Sequence, residues 1–332
     1  MRYSSASLVI AFIVLIITAL VSLTIGRYSI SVEAMVEYIT TGRAVDENLP
    51  LLLLNVRLPR ILGAVLAGGA LSVSGAAYQG LFRNPMVSPD ILGVSSGAGF
   101  GAALAILFSS GLAAIQASAF VVGLGAVFMA VTVSRFMPVG HDRILMLVLS
   151  GMITSSLFGA LVSLMKYVAD SESRLPDIVF WLMGSLSGIT MREVIFIAPV
   201  IVVMFVVLQL VSWKLNVLSF GEEEAMSMGV NTKALRMTVI VCASLLTASV
   251  VAVTGLIGWI GLIIPHLARF VVGPNHRFLL PASFLIGGTF LLLVDDLSRT
   301  ATSLEIPLGI ITSMLGAPMF FGILKISTKR VW

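Results

Sequence analysis

The chain has little charge for its length. Of its 332 residues, 11% are charged and 58% are hydrophobic, and the mean hydropathy is +1.08. A soluble globular domain carries about 25% charged residues and roughly 45–50% apolar residues. This deficit excludes a water-soluble fold. The formal net charge of +4 needs no nucleic acid as a partner, because basic loops on a membrane protein account for it.

Cysteine and histidine are scarce as well. The single cysteine, Cys242, lies in an apolar run, so the chain can form neither an intrachain disulfide nor a cysteine metal cluster. The chain has three histidines, no H-E-x-x-H motif, and no second acidic pair in a span besides Asp295 and Asp296. Since a catalytic or metal site needs several convergent ligands, we expect no catalytic residue, metal or cofactor here. His266 and Arg269 are instead expected to bond helix ends and loop carbonyls.

The sequence also lacks a loop for binding nucleotide phosphates. It contains no G-x-x-x-x-G-K-[ST] motif and no Gly-Lys dipeptide. Such a loop is what cradles the phosphates of ATP in many transport ATPases. If ATP powers this protein, a separate subunit must therefore bind and hydrolyse it.

Long apolar runs are what the chain has in abundance. A membrane span needs about 20 apolar residues, and continuous rather than alternating runs favour helices over strands. We predict an all-α integral membrane protein with a shorter surface helix near 177–187. Residues 8–26 are interpreted as a retained helix, because they are as long as a span and lack a clear A-x-A cleavage site. The ten predicted spans are about 7–26, 58–81, 89–108, 114–135, 144–167, 192–213, 237–256, 259–272, 279–297 and 307–325.

Ten spans place both ends of the chain on one side of the membrane. The basic residues within 325–330 favour the cytoplasm, and this orientation puts a modest majority of Lys and Arg inside. Arg57, Arg60 and Arg299 then lie at outer helix ends. A docked partner or an anionic substrate could reach them there.

Small residues recur every four positions in the second predicted span. Such a stripe lets two helix backbones approach closely. We therefore expect this helix to pack inside the bundle, with a structural interface formed by Ala64, Gly68, Ser72, Ala76 and Gly80.

Two segments interrupt the apolar pattern with glycine and proline. They are "RNPMVSPDILGVSSGAGFGA" at 83–102 and "TGLIGWIGLIIPHLARFVVGPNH" at 254–276. Irregular backbone at membrane depth is tolerated where it is buried in protein or lines a cavity. Paired interruptions in two halves of a chain indicate a transport pathway.

The longest polar stretch on the predicted cytoplasmic side is 214–236. It opens a short helix with three acids, which suit the N-terminal dipole, and Gly229 ends that helix. Methionines on its apolar side suit docking into a groove on another protein, although an ordinary surface loop remains the alternative. The apolar side is predicted from Met226, Met228 and Val230.

Several long motifs together resemble one family. "RLPR" at 57–60, "GGALSVSGAAYQG" at 68–80 and "RNPMVSPDILGVSSGAG" at 83–99 are similar to the first half of FecCD-type permeases. The segments at 255–299 and 305–324 are similar to the second half. These permeases are the membrane subunits of type II ABC importers for iron–siderophore, haem and vitamin B12. The resemblance covers nearly the whole chain.

The resemblance implies a BtuC-like permease fold that works as a dimer with a second permease copy or homologue. It implies a single transmembrane permease domain over 1–332, multi-pass in the cytoplasmic (inner) membrane of a prokaryote, with the pathway along the dimer interface. Two cytoplasmic ATPase subunits would bind the loop at 214–236. The coupling residues would be Glu222, Glu223, Glu224, Ala225, Met226, Met228 and Gly229.

An extracytoplasmic substrate-binding protein would deliver the ligand. The resemblance implies that Arg57, Arg60 and Arg299 meet acidic residues on that protein, and a guanidinium suits carboxylates better than an ammonium does. The alternative is that these arginines cap helix ends or bind lipid headgroups.

We place the cytoplasmic gate at Ser150, Gly151 and Met152, near the inner end of the fifth span. The chain departs from the family in two places. The family often has Phe-Val where this chain has Trp259-Ile260, and one Asp where it has two.

The expected substrate is a ferric siderophore, on its frequency within the family. Haem, cobalamin and molybdate or tungstate are the alternatives. A secondary transporter is the rival class, and it is disfavoured because the predicted helix interiors hold almost no ionisable residues.

Overall fold

The computed structural model describes residues 2–26, 28, 31–42, 48–136, 143–302 and 304–329. Arg330, used above for orientation, lies outside these ranges. Within them the chain forms thirteen helices and no strand. The helices are α1 (Arg2–Thr24), α2 (Val32–Thr41), α3 (Leu49–Leu81, with a π-helical stretch at Leu52–Arg57), α4 (Val94–Leu107), α5 (Leu112–Phe136), α6 (Arg143–Val168), α7 (Arg174–Met183), α8 (Met191–Leu218), α9 (Glu222–Ser227), α10 (Thr232–Thr254), α11 (Ile260–Val272), α12 (His276–Thr300) and α13 (Leu308–Lys329).

Each of the ten predicted spans coincides with one of these helices. In the described part of the chain, seven helices are long and apolar enough to cross a membrane: α1, α3, α5, α6, α8, α10 and α12. Three shorter apolar helices, α4, α11 and most of α13, supply the remaining predicted spans. The all-helical membrane fold predicted from the apolar runs is confirmed.

The structure corrects several predicted boundaries. The third span was predicted from residue 89, but α4 begins at Val94, because Pro85 and Pro89 keep the preceding segment irregular. The surface helix predicted at 177–187 is α7, which ends earlier because Gly184 adopts a positive φ of 73°. The sequence reasoning missed α2, which is short and capped by the Ser31 side chain.

Helix α3 lies at the centre of the bundle and packs against α8, α10, α11 and α12. The predicted small-residue stripe is buried along its length, so the predicted interface is confirmed. Gly68 and Ser72 lie against Gly287 of α12, where an added Cβ would overlap backbone or side-chain atoms. Gly75 lies equally close to the carbonyl of Gly261 in α11. Glycine allows these backbone approaches because it has no Cβ.

The two ends of the bundle carry different charged groups. We call the end that holds Arg57, Arg60 and Arg299 the arginine end, and the opposite end, with the three glutamates that open α9, the glutamate end. Helix α3 starts at the arginine end and α12 finishes there. Following the helices in order puts the start of α1 and the end of α13 together at the glutamate end, as an even number of spans requires.

Candidate functional site

Arg60 lies at the centre of a buried ion-pair network at the arginine end. Its Nε donates to Oδ2 of Asp295 at 2.8 Å, and its Nη2 donates to Oδ1 at 2.9 Å. Its Nη1 and Nη2 donate to the two carboxylate oxygens of Glu305 at 3.0 and 2.9 Å. One guanidinium therefore holds two carboxylates, from α12 and from the connection before α13. Such bidentate pairs are the strongest and most directional ion pairs in proteins.

Arg299 and Arg57 are engaged in the same region. Arg299 pairs with Asp296 and donates from Nη2 to the carbonyl and hydroxyl oxygens of Ser22 at 2.8 and 2.7 Å. Arg57 donates to the carbonyl oxygens of Leu23 and Tyr28, just where α1 ends. Carbonyls in the last turn of a helix have no partner within it, and basic side chains bond them favourably. These contacts tie α1, α3 and α12 together.

The network bears on the predicted docking arginines. All three are buried: Arg57, Arg60 and Arg299 are 4%, 7% and 6% exposed. Their donors point into the chain: Arg57 and Arg299 bond carbonyls at the end of α1, as the capping alternative expects, whereas Arg60 binds carboxylates of this chain. Only the Glu305 side chain, 27% exposed, brings the network to the surface. Binding of a partner's carboxylates by these arginines stays a prediction.

Among the described residues, an ion pair at the glutamate end joins Glu222 and Arg236. Glu222 binds Nη2 of Arg236 with both carboxylate oxygens at 2.9 Å and accepts a bond from the Thr232 hydroxyl at 3.1 Å. Glu222 therefore joins the start of α9 to the start of α10. This pair is more open to solvent than the Arg60 network, since the Glu222 side chain is 35% exposed.

The outward face of α9 is uncovered. Glu223 and Glu224 are exposed, and Met226 and Met228 are 53% and 61% exposed. Val230, predicted on the same apolar side, is buried instead. A shallow cavity of about 770 Å³ lies beside α9, between Arg143 and Lys233 and with Met226, Gly229 and Asn231 in its lining.

Helix α9 ends as its sequence predicted. Gly229 adopts φ +80°, its N–H donates to the Met226 carbonyl, and the Val230 N–H donates to the Ala225 carbonyl. This pair of bonds is a Schellman motif, which needs a residue with positive φ and therefore favours glycine. Ala225 is fully buried beneath the helix. The motif therefore fixes where this short helix ends.

The three predicted gate residues lie in different surroundings. Ser150 is buried and donates to the carbonyl of Met146 in its own helix at 2.7 Å. Gly151 lies directly against the carbonyl of Ile91, leaving no room for a side chain. Met152 is 60% exposed. The structure thus places Gly151 against the irregular segment before α4, and the gating role stays a prediction.

The two interrupted segments predicted to mark a pathway lie side by side. Gln79, near the end of α3, donates from Nε2 to the carbonyls of Val87 and Leu262 at 3.2 and 3.1 Å. Pro89 packs on Gly261. One buried amide therefore bridges the irregular segment 82–93 and α11. Sequence reasoning missed this role, although Gln79 was visible as the one amide in an apolar motif.

His266 and Arg269 extend the same junction. His266 Nε2 lies 2.8 Å from the carbonyl oxygen of Pro85, which confirms the predicted loop-carbonyl bond. Arg269 donates to Oε1 of Gln79 at 2.6 Å, so its partner is a side-chain amide rather than a carbonyl. Among the described residues no group of three or more His, Cys, Asp or Glu could hold a metal ion.

The backbone between α10 and α11 is strained at Trp259. Three non-glycine residues in the described chain have positive φ: Arg83, Ser109 and Trp259. The first two follow helix ends, where a left-handed residue is ordinary. Trp259 instead precedes a helix, with φ +71° and ψ −34°, and the N–H of Ile260 donates across it to the Gly258 carbonyl at 2.9 Å. This is a γ-turn with a positive central φ, a rare and strained form.

The bundle of membrane-crossing helices contains two irregular segments that meet inside it, and the short helix α9 lies exposed at one end. This architecture is that of a membrane transport protein. The chain belongs to the FecCD transport family, whose pattern matches residues 14–325. It is the permease subunit of an ATP-binding-cassette importer in the cytoplasmic membrane of a prokaryote. Permeases of this type work with ATPase subunits and a substrate-binding protein.

Individual relatives resemble the chain over almost its full length. It is 44% identical to the molybdate import permease MolB of Haemophilus influenzae, covering 96% of this chain and 94% of that one. It is 41% identical to the cobalamin import permease BtuC of Halobacterium salinarum, covering 85% and 75%. The structure of a metal-chelate type ABC transporter in an inward-facing conformation superposes with a TM-score of 0.87 at 43% identity, covering 96% and 98%.

Proposed function

We propose that this permease imports an oxyanion of the molybdate or tungstate type. The observation that carries the proposal is the 44% identity to a molybdate permease across nearly the whole of both chains.

A metal chelate is the second candidate, and a ferric siderophore is its leading member. The structural superposition on a metal-chelate type transporter favours it. Haem and cobalamin belong to the same class of large ligands, and a cobalamin permease is 41% identical over three quarters of its own length.

We further propose the arrangement of the complex. The whole chain acts as one permease domain and pairs with a second copy or a homologue. Its glutamate end faces the cytoplasm, where two ATPase subunits bind α9 and its flanks. The uncovered methionines and the free carboxylates of Glu223 and Glu224 support this assignment. ATP is bound and hydrolysed in those subunits, and this chain holds no cofactor.

Docking of the binding protein is proposed at the arginine end in a restricted form. Of the carboxylates that the described structure pairs with these arginines, Glu305, the partner of Arg60, is the most exposed. A carboxylate on the docked protein would meet the network at that point. Arg57 and Arg299 support the docking surface by holding α1 and α12 in place.

The test is an uptake panel in a strain that lacks this chain. Labelled molybdate, tungstate, ferric siderophores, haem and cobalamin are each measured with and without the restored gene. Loss of molybdate uptake that the gene restores would support the first proposal. Loss of uptake confined to a ferric chelate would support the second proposal instead. If uptake of every labelled compound is the same with and without the gene, neither proposal stands.

A further inference from the structure

We propose that Trp259 lines the translocation pathway and that its indole N–H donates a hydrogen bond to oxygen atoms of the passing substrate. The inference deepens the proposed function and rests on it for the existence of a pathway between two permease copies. It starts from the γ-turn Gly258–Trp259–Ile260, where a bulky residue adopts a conformation that usually falls to glycine. Strained residues of this kind persist where the surrounding structure holds them, and they cluster at functional sites.

The packing around Trp259 shows what holds it. The first atoms of its side chain lie against Gly316 of α13, so closely that an added Cβ there would fall 2.6 Å from the indole Cγ. Its ring meets Phe320 edge-on, with the centroids 6.3 Å apart. Phe320 in turn meets His266 edge-on at 6.2 Å. The indole is therefore fixed on one face of α13 rather than free to rotate.

The other side of this cluster is open. Gly258 is exposed and Trp259 is partly exposed. Along α13, Met314 and Phe321 are each 71% exposed, and no described part of the chain covers them. Trp259 thus borders a long apolar face of α13 that the described chain leaves uncovered, and we place this face at the proposed contact with the second permease copy. The indole N–H makes no hydrogen bond to any described residue, so it is available to a ligand.

The chemistry suits a substrate that is rich in oxygen acceptors. An indole N–H is a donor without charge, so it can orient an oxyanion or a chelate oxygen and still release it. A cation at the same depth would hold an anion too tightly for passage.

Cysteine labelling tests the position of the turn without knowledge of the substrate. Cys242 is the only cysteine, so Cys242→Ala gives a background without thiols. The exposed glycines with open space for a side chain and no positive φ include Gly258 beside the turn, Gly188 in the loop after α7, and Gly125 on α5. Each is changed to cysteine in the assembled importer and treated with a charged thiosulfonate, in vesicles of both orientations and with or without ATP.

We expect Gly188→Cys to react from one side, Gly125→Cys to stay unlabelled in lipid, and Gly258→Cys to react in at least one state. A Gly258→Cys that stays unlabelled in every state, while Gly188→Cys reacts, would overturn the proposal. Because this readout needs no substrate, it separates a misplaced turn from a wrong substrate class.

The role of the donor is tested by uptake. Trp259→Phe keeps the ring on Gly316 and removes the N–H, and we expect roughly tenfold slower uptake at an unchanged amount of assembled complex. Trp259→His, which keeps a ring donor, should recover part of the loss. Trp213→Phe, on the exposed face of α8, is the matched control and should behave as the wild type. Equal uptake by Trp259→Phe and wild type would overturn the donor role, whichever substrate the panel identifies.

Discussion

The arginine end and the glutamate end differ in where their charges find partners. At the arginine end, Arg60 and Arg299 pair with Asp295, Asp296 and Glu305, while Arg57 binds backbone carbonyls, so all three buried guanidiniums find partners within the chain. Among the described residues of the glutamate end, one partly exposed pair closes the start of α9, while two carboxylates and two methionines face outward. Burying an ion pair is costly unless its geometry is good, so the first arrangement holds helices together. The second leaves a surface for another protein.

The largest expected effect comes from breaking the buried network. Arg60→Met leaves Asp295 and Glu305 without their partner, and an uncompensated buried charge costs about 3–5 kcal/mol. We expect a large fall in the thermal stability of the purified permease in detergent. The matched control is Arg192→Met, an exposed arginine at the same end. If both variants melt at the same temperature, the pairing of Arg60 does not stabilise the permease. That result would favour a docking role for Arg60.

The second largest effect is expected at the exposed surface of α9. Met226→Glu with Met228→Glu should weaken binding of the ATPase subunits by about tenfold or more, because charge replaces the apolar contact at the centre of the surface. Pull-down of the ATPase and uptake should fall together, while the melting temperature stays unchanged. Leu304→Glu, an equally exposed apolar residue at the arginine end, is the control and should leave ATPase binding intact. Normal uptake in the double variant would remove the coupling assignment.

A smaller effect is expected from the ion pair at the glutamate end, and measuring it compares the two ends directly. Glu222→Gln loses the charge that pairs with Arg236, and a partly exposed pair is worth about 0–1 kcal/mol. We therefore expect a loss of stability several times smaller than that of Arg60→Met in the same melting assay. A loss as large as that of Arg60→Met would contradict the contrast drawn between the ends.

The smallest effect is an acid-dependent one at the exposed rim of the arginine end. The hydroxyl of Ser173 donates to Asp170 at 2.9 Å and, with neighbouring backbone N–H groups, lowers the pKa of that carboxyl. Its contribution is present above the pKa of the unfolded chain and is lost as the pH falls through the folded value. Asp170→Asn should therefore lower the melting temperature slightly at pH 7 and not in strong acid. If the variant still melts below the wild type in strong acid, the stabilisation at this site does not depend on the carboxylate charge.

The sequence was sufficient for the parts of the fold that depend on local pattern. Apolar runs located ten spans, and the stripe from Ala64 to Gly80 located the interface of α3 with its neighbours. Gly229 located the end of α9 because a Schellman motif needs a residue of positive φ. Each of these signals lies within a window of a few turns.

The parts that could not be predicted join residues far apart in the chain. Arg60 meets Asp295 and Glu305 across 235 and 245 positions, and nothing in the local sequence says which carboxylate it will meet. The sequence therefore left docking and capping as open alternatives for the arginines. The γ-turn at Trp259 was equally hidden, because local preference disfavours tryptophan there and only packing on α13 imposes it.

The same separation along the chain has a consequence for biogenesis. During synthesis, α3 enters the membrane while the codons for α12 have still to be translated, and at about 5–20 residues per second the delay is on the order of tens of seconds. Throughout that interval Arg60 has neither of its carboxylate partners, and its long side chain can reach water at the membrane surface. The arrival of α12 then draws Arg60 into the bundle. A nascent chain that stops before α12 therefore keeps a guanidinium without its carboxylate partners at the head of its central helix.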